Sequence, residues 1–345
     1  MGGEYTYTNR HDDYVNQEGY VPTTYTRIRE QNLAGYAQYN HPLPFGQANI
    51  GLRYEHVDFD YFENGTFVPG QSRVYDNIFP NISVNGQLGK VQFQVSYAAK
   101  TQRPNYSQLR NNITYANRFT WQTGNPLLKP SVTHDITAVG VWRFFQAMVS
   151  YKVVRDYILY WGTQVENQSA TTLINYINHD RLPSLTVMLA ASPTIGIWNL
   201  NASAIVMKQW FSLDAAGQRR TYNNPLFVGS LNNTFTLPAG FLLSADFNYQ
   251  SRGQVQNITL KRPQYTLNIG LRKSLFNDAL SIEARANDLL LGCKQEALLY
   301  MESAQMKDLS WSDTRSFSLT VRYKFNAAKS KYKGTGAGQD TINRM

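Results

Sequence analysis

SFSLTVRYKFN, residues 316–326, alternates strictly in polarity. In an extended chain Phe317, Leu319, Val321, Tyr323 and Phe325 share one face, while Ser316, Ser318, Thr320, Arg322 and Lys324 share the other. A single strand of this kind also suits a soluble sandwich, which buries one face and wets the other. Here the alternation recurs along the chain. Tyr5 and Tyr7 open the series, followed by segments from Leu33 to Tyr39, at Ile50, Leu52 and Tyr54, and near residues 74–84. Val91, Phe93, Val95 and Tyr97 form the next. Two segments meet near Arg143, the second carrying Phe145, Ala147, Val149 and Tyr151. Others run through Leu185, Trp198 to Ala204, Leu231, Phe241 to Phe247, Tyr265 to Leu271 and Leu280 to Ala284, giving about 14 strands in all.

The connections predict where these strands sit. Short ones fall at 41–46, 85–90, 143–146, 191–196, 238–241 and 275–278. Long ones fall at 10–28, 60–73, 102–130, 159–172, 211–222, 252–262 and 288–314, and the two kinds alternate. Outer-membrane barrels separate their loops in this way, with short periplasmic turns and long extracellular loops. The expected fold is therefore all-β, a transmembrane antiparallel up-and-down β-barrel occupying residues 1–326. The last strand then runs toward the periplasm. Residues 327–345, rich in Gly and Lys and without periodicity, read as a flexible periplasmic tail.

Composition agrees. No run approaches the roughly 18 apolar residues of a membrane helix. Charged residues make up only 17% of the 345 and aromatics 13%, with 23 tyrosines, which suits lipid-facing strands between aromatic belts. The net charge of +9 is dispersed rather than gathered in a patch, so no nucleic-acid partner is expected. The single cysteine, Cys293, excludes a disulfide framework and a Cys-based zinc site. The opening MGGEYTYTNR has neither the charged nor the apolar part of a signal peptide and reads as an internal start.

If the apolar face meets lipid, Arg53, Glu55, Arg272, Glu283, Arg285, Arg322 and Lys324 point into the lumen. The reverse assignment would cost roughly 2–4 kcal/mol for each Arg or Lys at the lipid midplane. Glu283, on the strand between those of Arg272 and Arg322, is expected to make cross-strand ion pairs. Every edge in lipid must also be paired, because unpaired backbone groups there cost several kcal/mol each.

RPNYSQLRNNITYANRFTWQTGNPLLKPS, residues 103–131, resembles a region of the TonB-dependent outer-membrane receptors of Bacteroidetes-type bacteria. The resemblance rests on Arg103-Pro104-Asn105-Tyr106 and on Gly124-Asn125-Pro126-Leu127-Leu128-Lys129-Pro130. NLAGYAQYN (32–40), GLRYEH (51–56) and RYKFN (322–326) extend it over essentially the whole chain. It implies a barrel of about 22 strands preceded by a plug that carries the TonB-contacting motif. Nothing in this sequence resembles that plug, so the chain reads as the C-terminal part of such a barrel, and TonB would be reached only through a plug it lacks. The implied function is import of a scarce nutrient, such as a glycan or siderophore, with no cofactor. The implied partners are outer-membrane lipid, the nutrient, the outer-membrane assembly machinery that reads a terminal aromatic, here Phe325, and a surface lipoprotein.

Within the 103–131 segment, Arg103, Tyr106, Tyr115, Phe119 and Trp121 are candidate substrate contacts, since aromatic rings stack on sugars and flat ligands. The plainer reading gives the prolines and Gly124 to loop architecture. Glu55, Asp58, Asp60 and Glu63 are acidic, but Glu63 stands where a calcium loop of the EF-hand type needs glycine. His134-Asp135 and His179-Asp180 are strand neighbours, which point to opposite faces and form no relay. No G-x-S-x-G occurs, and no enzymatic activity is expected. The alternatives are a stand-alone porin-like channel without a plug, a barrel lipase, and a soluble carbohydrate-binding β-sandwich.

Overall fold

The computed structural model describes residues 1–19, 21–165, 168–276, 279–302 and 305–324. Fourteen long strands form its main sheet. They are β1 (Gly2–Tyr14), β2 (Thr24–Leu43), β3 (Gly46–Glu63), β4 (Arg73–Leu88), β5 (Val91–Gln102), β6 (Ser131–Trp142) and β7 (Phe145–Val165). There follow β8 (Gln168–Ala191), β9 (Trp198–Gln209), β10 (Leu226–Leu237), β11 (Phe241–Gln250), β12 (Gln264–Leu275), β13 (Leu280–Asn287) and β14 (Ser316–Tyr323). Each pairs antiparallel with the next, an up-and-down meander. Among the described residues β1 and β14 do not pair with each other, so the sheet is an arc with two open edges. The sequence expects a terminal aromatic at Phe325 and a periplasmic tail over 327–345. Phe325 and all that follows lie outside the described residues.

One end of the sheet carries tight turns. Arg143-Phe144 joins β6 to β7 with Arg143 at φ +53°, and Gly89, at φ +62°, turns β4 into β5. Hairpins need such left-handed positions because their twist then matches that of the strands. Aromatics gather here: the rings of Trp142 and Phe145 lie 6.0 Å apart and those of Phe144 and Phe145 4.5 Å apart, with the Arg143 guanidinium 5.1 Å from the Trp142 ring.

The other end departs from expectation. Residues 159–172 read as a loop, yet β7 and β8 continue their register to Val165 opposite Gln168. The expected loops 10–28 and 60–73 are likewise shortened by β1, β2 and β3. Crossing a membrane takes about 9–11 residues, whereas β7 has 21 and β8 has 24, so the hairpin projects well beyond the bilayer. There Leu159 shares a buried cluster with Phe211 and Tyr222, and Ile174 one with Leu299 and Met301, from neighbouring loops.

Outward positions carry Leu33, Ile50, Leu52, Ile78, Leu189, Phe317 and Leu319, all more than half exposed. Lipid, rather than water, is the solvent such a face requires. The packed clusters lie instead at the projecting end, in three groups led by Tyr61, Leu159 and Ile174.

Candidate functional site

The projecting end forms a mouth, and its centre is the 103–130 connection between β5 and β6. Pro104 starts the turn, and a single helical turn, Tyr106–Leu109, follows. The Gln108 side chain accepts a hydrogen bond from the Asn105 backbone N–H at 2.9 Å, which ties the first turn. Tyr106, Leu109 and Leu128 are buried against Ile28, Phe59 and Tyr61 of β2 and β3. At Gly124 an added Cβ would stand 2.5 Å from the Gln108 carbonyl oxygen and 2.6 Å from that of Arg110, so only glycine fits. Asn125 donates to the Tyr176 carbonyl at 2.8 Å and accepts from the Leu127 N–H at 2.9 Å. Asn178 brackets Lys129, accepting from its N–H at 2.8 Å and donating to its carbonyl at 3.0 Å. Arg73 of β4 donates to the carbonyls of Pro126 and Leu127.

A charged ladder fastens the start of the connection. Arg103 donates to Glu55 at 2.6 Å, Glu55 accepts from Arg53 at 2.6 Å, and Arg53 reaches Glu4 at 3.1 Å. Glu55 is only 6% exposed, and those two guanidinium groups supply the hydrogen bonds that its buried oxygens need. Beside the ladder a recess of about 640 Å³ opens on the concave side, lined by Glu4, Arg53, Asn81, Lys100, Gln102 and Asn105. It is polar and suits a hydrophilic or charged visitor.

The remaining loops lean on the projecting β7–β8 hairpin. The hairpin Phe211–Ala215/Gln218–Tyr222 buries Phe211 and Tyr222 against Val154 and Leu182. Burial pushes the Tyr222 hydroxyl's ionisation up. The fully buried Asn257 donates to the Tyr160 carbonyl at 3.0 Å. Leu299 and Met301, from the β13–β14 connection, pack on Ile174. In that connection Glu296 meets Arg262 at 2.8 Å and Lys307 at 2.9 Å, and hydrogen bonds to these two cations hold its carboxyl below the usual range.

These contacts divide the candidate residues. Arg103 is committed to Glu55, and Tyr106, 1% exposed, is a packing residue. Tyr115 and Phe119, 53% and 49% exposed, are presented on the short hairpin Thr114–Asn117/Thr120–Gln122, with Arg118 stacked 4.4 Å from Phe119. Trp121 is half-buried where this hairpin runs parallel to Thr172–Ile174. Arg272, Glu283, Arg285 and Arg322 occupy the inward parity of β12–β14. Glu283 stands opposite Arg272 in register, but its ion pair runs along its own strand to Arg285 at 3.9 Å, and Arg285 reaches Asp246 at 3.4 Å. The acidic residues disperse as well: Asp60 pairs with Arg29, and Glu63 accepts from Asn111. Among the described residues no group of three or more His, Cys, Asp and Glu is placed to hold a metal ion. Glu4, Arg73, Lys100 and Asn178 were not legible as site residues; only their partners, far away in sequence, give them a role.

The model of the outer membrane protein beta-barrel family matches residues 1–323. The chain belongs to that family. Its strands are therefore those of an outer-membrane barrel, and the protein is placed in the outer membrane. No curated protein matches it in sequence. Among solved structures it is similar to the FrpB iron transporter of Neisseria meningitidis (14% identity, TM-score 0.54, 88% of this chain and 45% of that one). It is also similar to the copper transporter OprC (11%, TM-score 0.63, 94% and 53%). The ferric-catecholate import receptor Fiu of E. coli K12 is a third (12%, TM-score 0.56, 88% and 46%). The barrel chain spans about half the length of these receptors. At such identities the likeness is one of fold.

Proposed function

We propose that this barrel arc is the C-terminal part of a TonB-dependent receptor that imports a scarce nutrient, a glycan, a siderophore or a similar molecule, across the outer membrane. The observation that carries this reading is the 103–130 connection, whose first residues Arg103 and Asn105 line the polar recess and which is fastened by Glu55 and by the β7–β8 hairpin. An open diffusion pore has no use for so heavily anchored a cover, whereas a receptor needs a rigid surface on which to present contacts. Tyr115, Phe119 and Trp121 are the proposed contacts on that surface, and Lys100 and Arg53 line the way below it. The solved import receptors of similar fold support the reading. Coupling to TonB belongs to a plug that would fill the lumen.

Planar-bilayer recording of the purified chain tests this against a porin-like channel. The receptor reading expects no steady, uniform open-channel conductance from the chain alone. A stable conductance of fixed size, unaffected by removing residues 110–122, would overturn it.

A further inference from the structure

We infer that the luminal wall of β7–β9 holds a soft monovalent metal ion, Cu(I), on the thioethers of Met148, Met188 and Met207. Register sets Met148 directly opposite Met188 across β7 and β8. On β9, Met207 stands opposite Thr186, two residues along the same face from Met188, and is therefore diagonal to it. Directly opposed side chains start about 4.5–5.5 Å apart and diagonal ones about 7–8 Å, both within reach of a side chain as long as methionine. Three of the chain's seven methionines thus converge on one patch.

The patch faces inward. Ala147, Val149, Leu189 and Val206, neighbours of the three in sequence, take the exposed apolar outer face, so alternation turns the methionines to the lumen. Each is half-buried rather than packed in a core. A barrel interior is polar as a rule. The inward residues on either side follow that rule, with Gln92 and Gln94 on β5 and Asn232 and Asp246 on β10 and β11. Between them the inward row Val139, Met148, Met188, Ile205, Val228 is apolar. Valine and isoleucine bring no ligand, whereas methionine is apolar and still offers a sulfur lone pair.

Thioethers are soft ligands that select Cu(I) over harder divalent ions. The inward positions of 137–141, 146–150, 184–190 and 203–209 contain no His, Cys, Asp or Glu, so no imidazole or carboxylate at the patch draws in Zn(II). Toward the mouth, Lys152 faces Asp135 in register. The Asp135 carboxylate turns back from that pair to accept from Thr137 at 2.9 Å and from Ser150 at 2.8 Å, which sets negative charge beside the row above Met148. Met207 stands one row nearer the mouth than the Met148–Met188 pair, so the thioethers descend toward the tight-turn end. The inference rests on the inward parity of these positions and not on the import reading.

The test is metal binding by the folded full chain in mild detergent, with heat-modifiable mobility as the check on folding and C293S in every protein so that no thiol contributes. Cu(I) kept reduced with ascorbate, and Ag(I) as its redox-inert counterpart, are each expected to survive desalting at about one ion per chain, and Zn(II) is not. Leucine replaces methionine at nearly equal volume and removes only the sulfur. M148L/M188L/M207L is therefore expected to keep the fold and lose the ion, while M306L, in the β13–β14 connection, retains it. X-ray absorption at the copper edge of the protein with all its methionines is expected to show sulfur neighbours, and it decides even if the triple variant fails to fold. Equal retention by the triple variant, equal loss in M306L, nitrogen or oxygen ligation of the copper, or equal retention of Zn(II) would each overturn the inference.

Discussion

Replacing Arg103 with Gln should loosen the cover of the mouth without unfolding the barrel. In the native protein Glu55 faces two guanidinium groups, Arg103 and Arg53, each at 2.6 Å. Side-chain exposures of 16% for Arg103 and 8% for Glu55 mean that water replaces little of what is lost. Stranding a buried charge outright costs about 3–5 kcal/mol. Glu55 keeps Arg53, so the loss is closer to one hydrogen bond to a charged group, about 2 kcal/mol. That corresponds to a roughly 30-fold rise in the open population of the 103–130 connection. Hydrogen exchange at the amides of 105–109 reads it directly, with heat-modifiable mobility reporting the barrel. E55Q/R103Q should cost less than the sum of the single changes, because each single change strands the other partner. Arg219–Asp214, at 2.9 Å but 65% and 74% exposed, is the control, and R219Q should change exchange little. If R103Q protects 105–109 as well as wild type does, or costs no more than R219Q, the ladder does not fasten the cover.

Three further outcomes follow from the same contacts. Gly124→Ala pushes a methyl group against the carbonyls of Gln108 and Arg110, so it should open the cover by about 1–3 kcal/mol, seen as faster proteolysis within 103–130. Because the Glu296 carboxyl is held below its ordinary range, its contribution is full above the unfolded carboxylate value near 4.3 and is lost as pH falls through the lowered one. Exchange in 294–302 should therefore accelerate below about pH 4, and E296Q should remove that step. A cysteine at Ala216 should react with an impermeant thiol reagent on intact cells while one at Gly89 should not; the reverse would invert the topology.

Strand number and parity were legible because alternation is local: Phe317 to Tyr323, or Val91 to Tyr97, declare their faces without reference to anything else. What failed was the outer end. Residues 159–172 and their neighbour Ile174 lack a clean two-residue alternation because the hairpin leaves the bilayer and is covered by loops rather than by one uniform solvent. The same loss of a simple period hid the hairpins at 211–222 and 294–311. The Arg103 and Gly124 motifs were visible as patterns, but their purpose lay in Glu55, 48 residues earlier, and in Asn178, 49 residues after Lys129. No local rule connects such pairs. Of the five candidate contacts, Arg103 is paired with Glu55 and Tyr106 is buried, while Tyr115 and Phe119 stand exposed on the surface they help to hold.

The two open edges set one more constraint. An edge strand leaves the N–H and C=O of alternate residues unpaired, so the eight residues of β14 alone would bring about eight such groups to lipid. At several kcal/mol each the cost is tens of kcal/mol, beyond the 5–15 kcal/mol by which a typical fold is stable. The alternation of faces continues unbroken to β14, so an antiparallel strand, rather than a covering helix, suits its edge. β1 and β14 run in opposite directions, as an antiparallel barrel requires of strands that meet at its seam. The cover does not depend on that closure. Its anchors Glu55, Arg73, Tyr176, Asn178 and the Ile28–Phe59–Tyr61 cluster stand on β2, β3, β4 and β8, and on β1 Asp12 meets Arg110 at 3.8 Å while Arg10 lies over the Tyr106 ring. The mouth is thus assembled by strands inside the arc together with contacts on β1.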